Sequence, residues 1–198
     1  MIRVVLFDFG GVIADEGFYQ GLRAIAEESG LEPEQFLRTA EELIHRTGYV
    51  TGRATEAAYW AAVREESGIE QTDDYMREQI LSRFMVRPEM LAHADSLRSA
   101  GRNVSILSDQ TDWLDEIDRR TPFANHFDRV FNSFYLHKSK RDATIFTDTC
   151  HGLGVDPGDV LFIDDNIRNV ERAGSVGLLT IHFTGMGQFP GALKSINL

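Results

Sequence analysis

The sequence predicts an α/β protein with a three-layer, Rossmann-like core on a parallel sheet and an inserted helical cap. Three observations predict this fold. Five short apolar runs alternate with helical segments, the pattern of repeated βα units. Polar side chains follow four of these runs directly. Between the first two runs lies a stretch of about 70 residues with helical periodicity and almost no strand pattern.

The first predicted strand is the apolar run VVLF at 4–7, which ends at Asp8. A β-branched and aromatic run of this kind is typical of a strand buried on both faces of a parallel sheet. Gly10 and Gly11 follow and predict a sharp turn with its backbone open to a ligand. Asp8 is therefore predicted at the carboxyl end of a central strand, where open α/β sheets bind their ligands.

The helical insert is predicted at 16–85, which leaves 1–15 and 86–198 as the core. Its helices are predicted at about 17–29, 33–46, 54–66 and 72–84 from apolar spacing and from glycine, proline and threonine at the breaks. Tyr59 and Trp60 are predicted to lie in the interior of the insert. Both ends of the insert join the core near the end of the first strand. A cap over that point would exclude water and select the substrate.

Four more strands are predicted, at 103–107, 129–131, 160–163 and 178–183. A helix is predicted from Pro88 to about Ser99, because proline favours the first helical turn and Gly101 provides a stop. A short helix is predicted at 166–173. The segment after Gly185 is rich in glycine and proline, and its composition predicts weak structure.

The composition limits which classes of function are possible. A net charge of −11 argues against nucleic acid and anionic membranes as partners, because both require a basic face. One cysteine, Cys150, excludes an intrachain disulfide and a cysteine-based zinc site, and we expect a buried thiol there. The chain starts directly on a core strand and contains no apolar run of the ~18 residues that a membrane span requires. We expect a cytoplasmic protein, monomeric or homodimeric.

Four polar clusters follow predicted strands and should converge at one edge of the sheet. In chain order they are Asp8, Ser108 with Asp109, Lys140, and Asp164 with Asp165. A carboxylate can attack phosphorus and form an aspartyl-phosphate. Three carboxylates around one point repel each other, and Mg²⁺ with its preference for oxygen ligands removes that repulsion. A lysine and a serine hydroxyl can then balance the phosphate charge.

These clusters resemble the motifs of the haloacid dehalogenase superfamily. The resembling segments are FDFGGVI at 7–13, ILSDQ at 106–110, SKRDATIF at 139–146 and LFIDDN at 161–166. Their order and spacing are specific together, and the insertion point after the first motif is similar to that of the helical-cap type. The first and last motifs are most similar to the sugar-phosphate phosphatase branch. The resemblance implies a Mg²⁺-dependent phosphatase that acts on a small phosphorylated metabolite, with a sugar phosphate as one candidate.

The resemblance also implies a role for each site residue. Asp8 would be the nucleophile and a metal ligand. Ser108 and Lys140 would bind the transferring phosphoryl group, and the backbone N–H groups of Gly11 and Asp109 would assist them. The remaining metal ligands would be the Gly10 carbonyl oxygen, Asp164 and Asp165, with Asp165 favoured as the direct carboxylate ligand of the last two.

The sequence departs from the family pattern at two points. Gly10 stands where the family usually has an acid/base aspartate, and general acid catalysis is typically worth about 10²–10⁴-fold. Three interpretations follow: the substrate has a good leaving group, another residue such as Asp15, Glu16 or a cap residue supplies the proton, or the protein is slow or inert. The lysine motif reads Lys-Arg-Asp instead of the usual Lys-Pro-Asp, and Lys138 is a second candidate near Lys140.

Two other functions remain open from the sequence. A 2-haloacid dehalogenase releases halide, which leaves without a proton, so Gly10 would be harmless; but such a reaction needs no metal, and the paired aspartates would be unexplained. A catalytically weak phosphate-binding protein on the same scaffold is the third hypothesis. Simple helix capping is an alternative explanation for Ser108 and for the Asp164-Asp165 pair.

Overall fold

The computed structural model describes residues 1–196 and contains a five-stranded parallel sheet. Its strands are β1 Val4–Phe7, β2 Asn103–Ser108, β3 Arg129–Asn132, β4 Val160–Asp164 and β5 Leu179–His182. Their spatial order is β3-β2-β1-β4-β5, so β1 is central. All four pairs of neighbouring strands are parallel, so the connections between strands are crossovers. The α/β fold class is confirmed, and each predicted strand agrees with the observed one to within one residue at either end.

The central strand is buried on both faces. Val5 and Phe7 belong to one apolar cluster, whereas Val4 and Leu6 belong to another on the opposite side of the sheet. This alternation follows from the two-residue period of a strand. It explains why the run carries no polar residue before Asp8.

Ten helices accompany the sheet in the described residues. They are α1 Gly17–Glu28, α2 Pro33–Arg46, α3 Glu56–Ser67, α4 Asp73–Leu81, α5 Pro88–Ser99, α6 Trp113–Arg120, α7 Ser133–Leu136, α8 Thr144–Leu153, α9 Ile167–Ser175 and α10 Phe189–Ser195. The four helices predicted in the insert are present, although α4 ends three residues earlier than predicted. Phe84 instead leaves the helix and packs 5.7 Å from the ring of Phe9, directly beneath the turn after β1.

The prediction of weak structure after Gly185 is wrong for 189–195, which form α10. Phe189 is buried at the start of this helix, and its ring meets those of Phe7 and Phe183 at centroid distances of 6.3 and 5.5 Å. Burial of one aromatic side chain therefore fixes a segment whose composition favours a loop. Cys150 is buried, as predicted.

The insert packs on the core through aromatic rings. Tyr59 and Trp60 are fully buried, as predicted. Trp60 stacks on Trp113 of α6 at 5.7 Å, and Tyr49 meets Trp113 edge-on at 5.5 Å. The Tyr49 hydroxyl also donates a hydrogen bond to Asp112 at 2.6 Å. These contacts hold α1–α4 against the end of the sheet that carries Asp8.

The two connections of the insert lie side by side. The Asp15 N–H donates to the Met85 carbonyl, and the Arg87 N–H donates to the Ile13 carbonyl, at 2.9 and 2.8 Å. The Arg87 guanidinium also donates to the Gly11 carbonyl at 2.6 Å and pairs with the Asp15 carboxylate at 2.8 Å. The division of the chain into a core and a cap stays a prediction. In that division, this paired segment is the place where the insert joins the core.

None of the helices within residues 1–196 combines the length and the apolar character that a membrane span requires.

Candidate active site

The parallel register brings three of the predicted site residues to one edge of the sheet. Phe7 pairs with Ile106 on β2 and with Ile163 on β4. Asp8 and Asp164 directly follow Phe7 and Ile163, and Ser108 comes two residues after Ile106 at the end of β2. The Asp8 N–H itself donates to the Ile163 carbonyl at 2.8 Å. The convergence of these three residues therefore follows from the pairing of the strands.

The Asp8 carboxylate is anchored through one oxygen. Its Oδ1 accepts hydrogen bonds from the Ser108 hydroxyl and from the Phe9 N–H, both at 2.7 Å, and lies 2.8 Å from the Lys140 ammonium. Three donors on one oxygen fix the orientation of the carboxyl group. They also place Ser108 and Lys140 beside any group that becomes attached to Asp8.

Lys140 is the buried cation that contacts Asp8. Its side chain is 1% exposed, and its Nζ lies 2.8 Å from Asp8 and 2.7 Å from Asp164. The Lys140 N–H donates to both carboxylate oxygens of Asp109, at 2.8 and 3.0 Å, so Asp109 positions the loop that carries the lysine. Burial lowers the pKa of Lys140, but the surrounding carboxylates outweigh burial and the net shift is upward. The lysine is therefore charged at neutral pH.

Lys138, the alternative lysine, lies on the surface. It pairs with Asp148 at 2.5 Å and donates to the Thr144 hydroxyl at 2.7 Å. Its ammonium is thus engaged away from the cavity. Of the two candidate lysines, Lys140 is the one whose ammonium lies beside Asp8.

A cluster of three carboxylates fits a metal ion. Asp8, Asp164 and Asp165 each offer an oxygen, and these three oxygens lie within 4.8 Å of one another. Oxygen donors in this number suit Mg²⁺, which completes its shell with water or substrate oxygens. Lys140 supplies a single positive charge against the three carboxylates. The charge that remains is what a divalent cation would neutralise.

The pKa values respond to this crowding. Burial raises the pKa of Asp8 well above its usual range, the Lys140 ammonium opposes that shift, and the carboxylates of Asp164 and Asp165 reinforce it. Burial, followed by the Asp164 charge, also raises the pKa of Asp165. A cation between these groups would reverse both shifts, because it favours the ionised forms.

Capping does not explain the paired aspartates. Asn166 is the N-cap of α9, and its side chain accepts from the Arg168 N–H at 3.0 Å. Asp164 is fully buried and accepts from the Asn166 N–H at 2.7 Å and from the Asn169 amide at 3.2 Å. Asn169 is a site residue that sequence reasoning missed. The sequence signal that could have identified it is its position on the first turn of α9, shortly after Asp164.

Ser108 is likewise not a helix cap, because the next helix begins at Trp113 with Asp112 as its N-cap.

Two glycines shape the turn after β1. Gly11 has a φ of +76°, and a Cβ there would overlap the Asp165 carboxylate. A Cβ at Gly10 would lie 2.5 Å from Oε2 of Glu16. Gly10 lines the cavity that contains Asp8, whereas Gly11 lines the adjoining cleft with Asp165. The metal role of the Gly10 carbonyl and the phosphate roles of the Gly11 and Asp109 N–H groups stay predictions.

The two acids that follow the turn have different surroundings. Asp15 is held in an ion pair with Arg87, outside the cavity that contains Asp8. Glu16 is half-buried and lines that cavity with Asp8. Burial, followed by the charge of Asp165, raises the pKa of Glu16 to about 7, against the opposing effect of N–H groups at the start of α1.

The cavity above Asp8 has a volume of about 190 Å³. Its floor is formed by the strand-end residues and its walls by the insert, including Tyr19, Ile44 and His45. Burial, followed by the Arg141 charge, lowers the pKa of His45 to about 4, so this histidine is neutral at physiological pH. The insert residues on the wall had no distinguishing sequence signal, because helical periodicity does not show which turn faces the core.

A family model described as haloacid dehalogenase-like hydrolase matches residues 2–177. The chain belongs to this family. The predicted resemblance to the haloacid dehalogenase superfamily is confirmed.

The curated relatives include an epoxide hydrolase, a haloacid dehalogenase and a phosphatase. The bifunctional epoxide hydrolase 2 of Mus musculus is 27% identical over 91% of this chain, which spans 36% of that longer protein. The (S)-2-haloacid dehalogenase 4A of Burkholderia cepacia is 32% identical, with 52% of this chain and 45% of the relative covered. The N-acetylmuramic acid 6-phosphate phosphatase of Pseudomonas aeruginosa is 25% identical, with 90% and 80% covered.

The fold is also that of solved family members. A HAD family enzyme from Bacteroides thetaiotaomicron superposes with a TM-score of 0.74 at 22% identity, over 91% of this chain and 92% of the other. The same enzyme in complex with magnesium and inorganic phosphate superposes with a TM-score of 0.66, again at 22% identity, over 91% and 93%.

Proposed function

We propose that this hydrolase is a Mg²⁺-dependent phosphatase that acts on a small phosphorylated metabolite through an aspartyl-phosphate on Asp8. One observation carries the proposal. The Asp8 carboxylate lies within 2.8 Å of both a buried ammonium and a serine hydroxyl, beside two further carboxylates. That is the donor set of a phosphoryl-transfer site: a nucleophile, two groups for the phosphoryl oxygens and a place for a hard cation.

Each group has a defined part in the reaction. An oxygen of Asp8 attacks phosphorus while the leaving oxygen departs with the electron pair of the broken bond. Lys140 and the Ser108 hydroxyl turn from Asp8 toward the phosphoryl oxygens and stabilise the charge that grows there. Water then attacks the aspartyl-phosphate and releases inorganic phosphate, which regenerates the Asp8 carboxylate.

The metal site would be formed by the carboxylates of Asp8, Asp164 and Asp165, with the Gly10 carbonyl as the fourth protein ligand. Mg²⁺ held there supplies charge neutralisation that lets a carboxylate approach an anionic phosphate. Asp164 is held by Lys140 and Asn169, so Asp165 is the carboxylate with more freedom to coordinate directly.

A small substrate fits the dimensions of the site. A cavity of about 190 Å³ lies below the ~300–1,000 Å³ of drug-sized ligand pockets. The Pseudomonas relative is named for a sugar phosphate, and the Bacteroides enzyme binds magnesium and phosphate. Both facts support a phosphorylated metabolite such as a sugar phosphate.

A dehalogenase is the second candidate, favoured by the Burkholderia relative and by Gly10, since halide leaves without a proton. The cluster of three carboxylates argues against it, because displacement of halide requires no metal.

A panel of phosphorylated metabolites, assayed with Mg²⁺ and with excess EDTA, tests the proposal. We expect phosphate release from at least one metabolite and from acetyl phosphate, with loss of at least about 10²-fold on metal removal, the scale of losing electrostatic stabilisation. Halide release from 2-haloacids in EDTA, without phosphatase activity, would establish the second candidate instead. Ligand binding without turnover would favour the phosphate-binding protein.

The turn glycine gives a separate test of the metal site. Gly11→Ala should weaken Mg²⁺ binding by roughly 10–100-fold, the scale for groups that position metal ligands, because the added methyl displaces the Asp165 carboxylate. Gly30→Ala is the matched control. Gly30 has a φ of +69° with no atom within 4 Å of its Cβ position, so the Gly30→Ala variant measures the effect of backbone strain alone. Equal Mg²⁺ dissociation constants in the two variants, measured by calorimetry, would contradict a metal at Asp165.

A further inference from the structure

The carboxyl group of Glu16 occupies the space above Gly10. Its Oε2 lies 2.5 Å from the position of a Cβ at residue 10, two residues beyond Asp8. A side chain at residue 10 and Glu16 in its present conformation are therefore mutually exclusive. The absence of a side chain at Gly10 lets a carboxyl group from the start of the insert reach the wall of the cavity that contains Asp8.

Other acids near the cavity are engaged elsewhere. Asp109 accepts two hydrogen bonds from the Lys140 N–H. Glu41 pairs with Arg141 at 3.5 Å. Asp15, the neighbour of Glu16, is bound to Arg87 at 2.8 Å. Glu16 forms no ion pair with any group in residues 1–196, and it is not among the three carboxylates clustered for a metal.

We propose that Glu16 is the general acid and base of this site, an inference that rests on the proposed phosphatase function. An alkoxide is a poor leaving group, and a positioned proton donor contributes about 10²–10⁴-fold to its departure. Glu16 supplies from the insert the proton that Gly10 cannot supply from the turn.

The proton balance of the two steps is complete. When Asp8 attacks, the phosphorus–oxygen bond to the leaving group breaks, and the leaving oxygen takes the proton of the Glu16 carboxyl to form an alcohol. Glu16 is left as a carboxylate. It then accepts a proton from the water that attacks the aspartyl-phosphate, which restores the Glu16 carboxyl group. In the same step inorganic phosphate separates from the Asp8 carboxylate.

The test compares leaving groups that differ in their need for a proton. Glu16→Gln retains the shape of the side chain and removes its acid. For an alkyl phosphate hydrolysed by the wild type, we expect kcat/KM to fall by about 10²–10⁴-fold. For dinitrophenyl phosphate, whose phenolate leaves unprotonated, kcat/KM should change by less than about tenfold. A burst of about one equivalent of phenolate should precede slow turnover, because the aspartyl-phosphate then lacks its base.

The control is Asp15→Asn, which removes the neighbouring acid and should not alter the ratio of the two kcat/KM values. Activity on dinitrophenyl phosphate shows that the Glu16→Gln protein is folded and loaded with Mg²⁺. If Glu16→Gln lowers both kcat/KM values equally, or lowers neither, the role of Glu16 is refuted and the phosphatase function stands. A wild type that hydrolyses only activated phosphates refutes that role as well. A wild type that hydrolyses neither substrate overturns the phosphatase function and this inference with it.

Discussion

Asp8→Asn is expected to lower kcat/KM for the best phosphorylated substrate by about 10⁴-fold or more, the scale of removing a covalent nucleophile. An amide retains a hydrogen-bond acceptor for Ser108 and for the Phe9 N–H, so the local structure should persist. It provides no anionic oxygen to attack phosphorus. The measurement is phosphate release with saturating Mg²⁺, together with a search for phosphoenzyme on the isolated protein.

The matched control is Asp148→Asn, which neutralises an exposed carboxylate paired with Lys138. Its activity should stay within about twofold of the wild type, as expected for a surface substitution far from the site. Comparable turnover by Asp8→Asn and the wild type would refute the covalent mechanism. A dehalogenase would also need this nucleophile, so the substrate and the metal dependence, rather than this variant, separate the two functions.

The strands and the convergence of the site could be predicted because both depend on local patterns. VVLF before Asp8 and VLFI before Asp164 are short apolar runs typical of a buried parallel strand. Once these strands pair in parallel, the polar residues after them must meet at one edge. The five apolar runs and the polar residues after them were therefore enough to predict the sheet and the edge at which the site lies.

The rest depends on contacts between distant segments. The end of the chain forms α10 because Phe189 finds the rings of Phe7 and Phe183, which composition cannot show. Lys140 and Lys138 are two residues apart and chemically identical. Only the path of the loop, fixed by Asp109, decides which ammonium is buried.

The contrast between Asp15 and Glu16 has the same origin. Adjacent acids point to different places because Arg87, which lies beyond the insert, captures the first of them. The second is left to line the cavity. Arg87, 72 positions from Asp15, thus determines which of the two acids lines the cavity.

Lys140→Met tests the charge balance of the site. The Lys140 side chain is 1% exposed, and its ammonium contacts both Asp8 and Asp164. Removal of the ammonium therefore leaves buried carboxylates without a counter-charge. Breaking a buried ion pair in this way costs about 3–5 kcal/mol. We expect a loss of this size in the free energy of unfolding, measured with urea in metal-free buffer at neutral pH. Loss of a phosphoryl-binding charge should also lower kcat by roughly 10²–10³-fold.

The pH dependence of that loss has a definite sign. The folded-state pKa of Lys140 is raised, so its stabilising charge is fully present at and below neutral pH in the wild type. The pKa of Asp8 is also raised in the folded state, and it should rise further without the ammonium. A carboxyl group with a raised pKa becomes neutral as the pH falls and then needs no counter-charge. The stability difference between Lys140→Met and the wild type should therefore shrink as the pH falls below neutral.

Lys138→Met is the matched control, since it removes the same charge two residues away from a surface pair with Asp148. Surface pairs contribute about 0–1 kcal/mol, so its stability and kcat should stay near those of the wild type. Mg²⁺ should restore part of the stability lost in Lys140→Met, because a cation bound to the folded state replaces the missing positive charge. A stability loss that neither low pH nor Mg²⁺ reduces would mean that Lys140 acts through packing. Equal behaviour of the two lysine variants would place the phosphoryl-binding charge elsewhere.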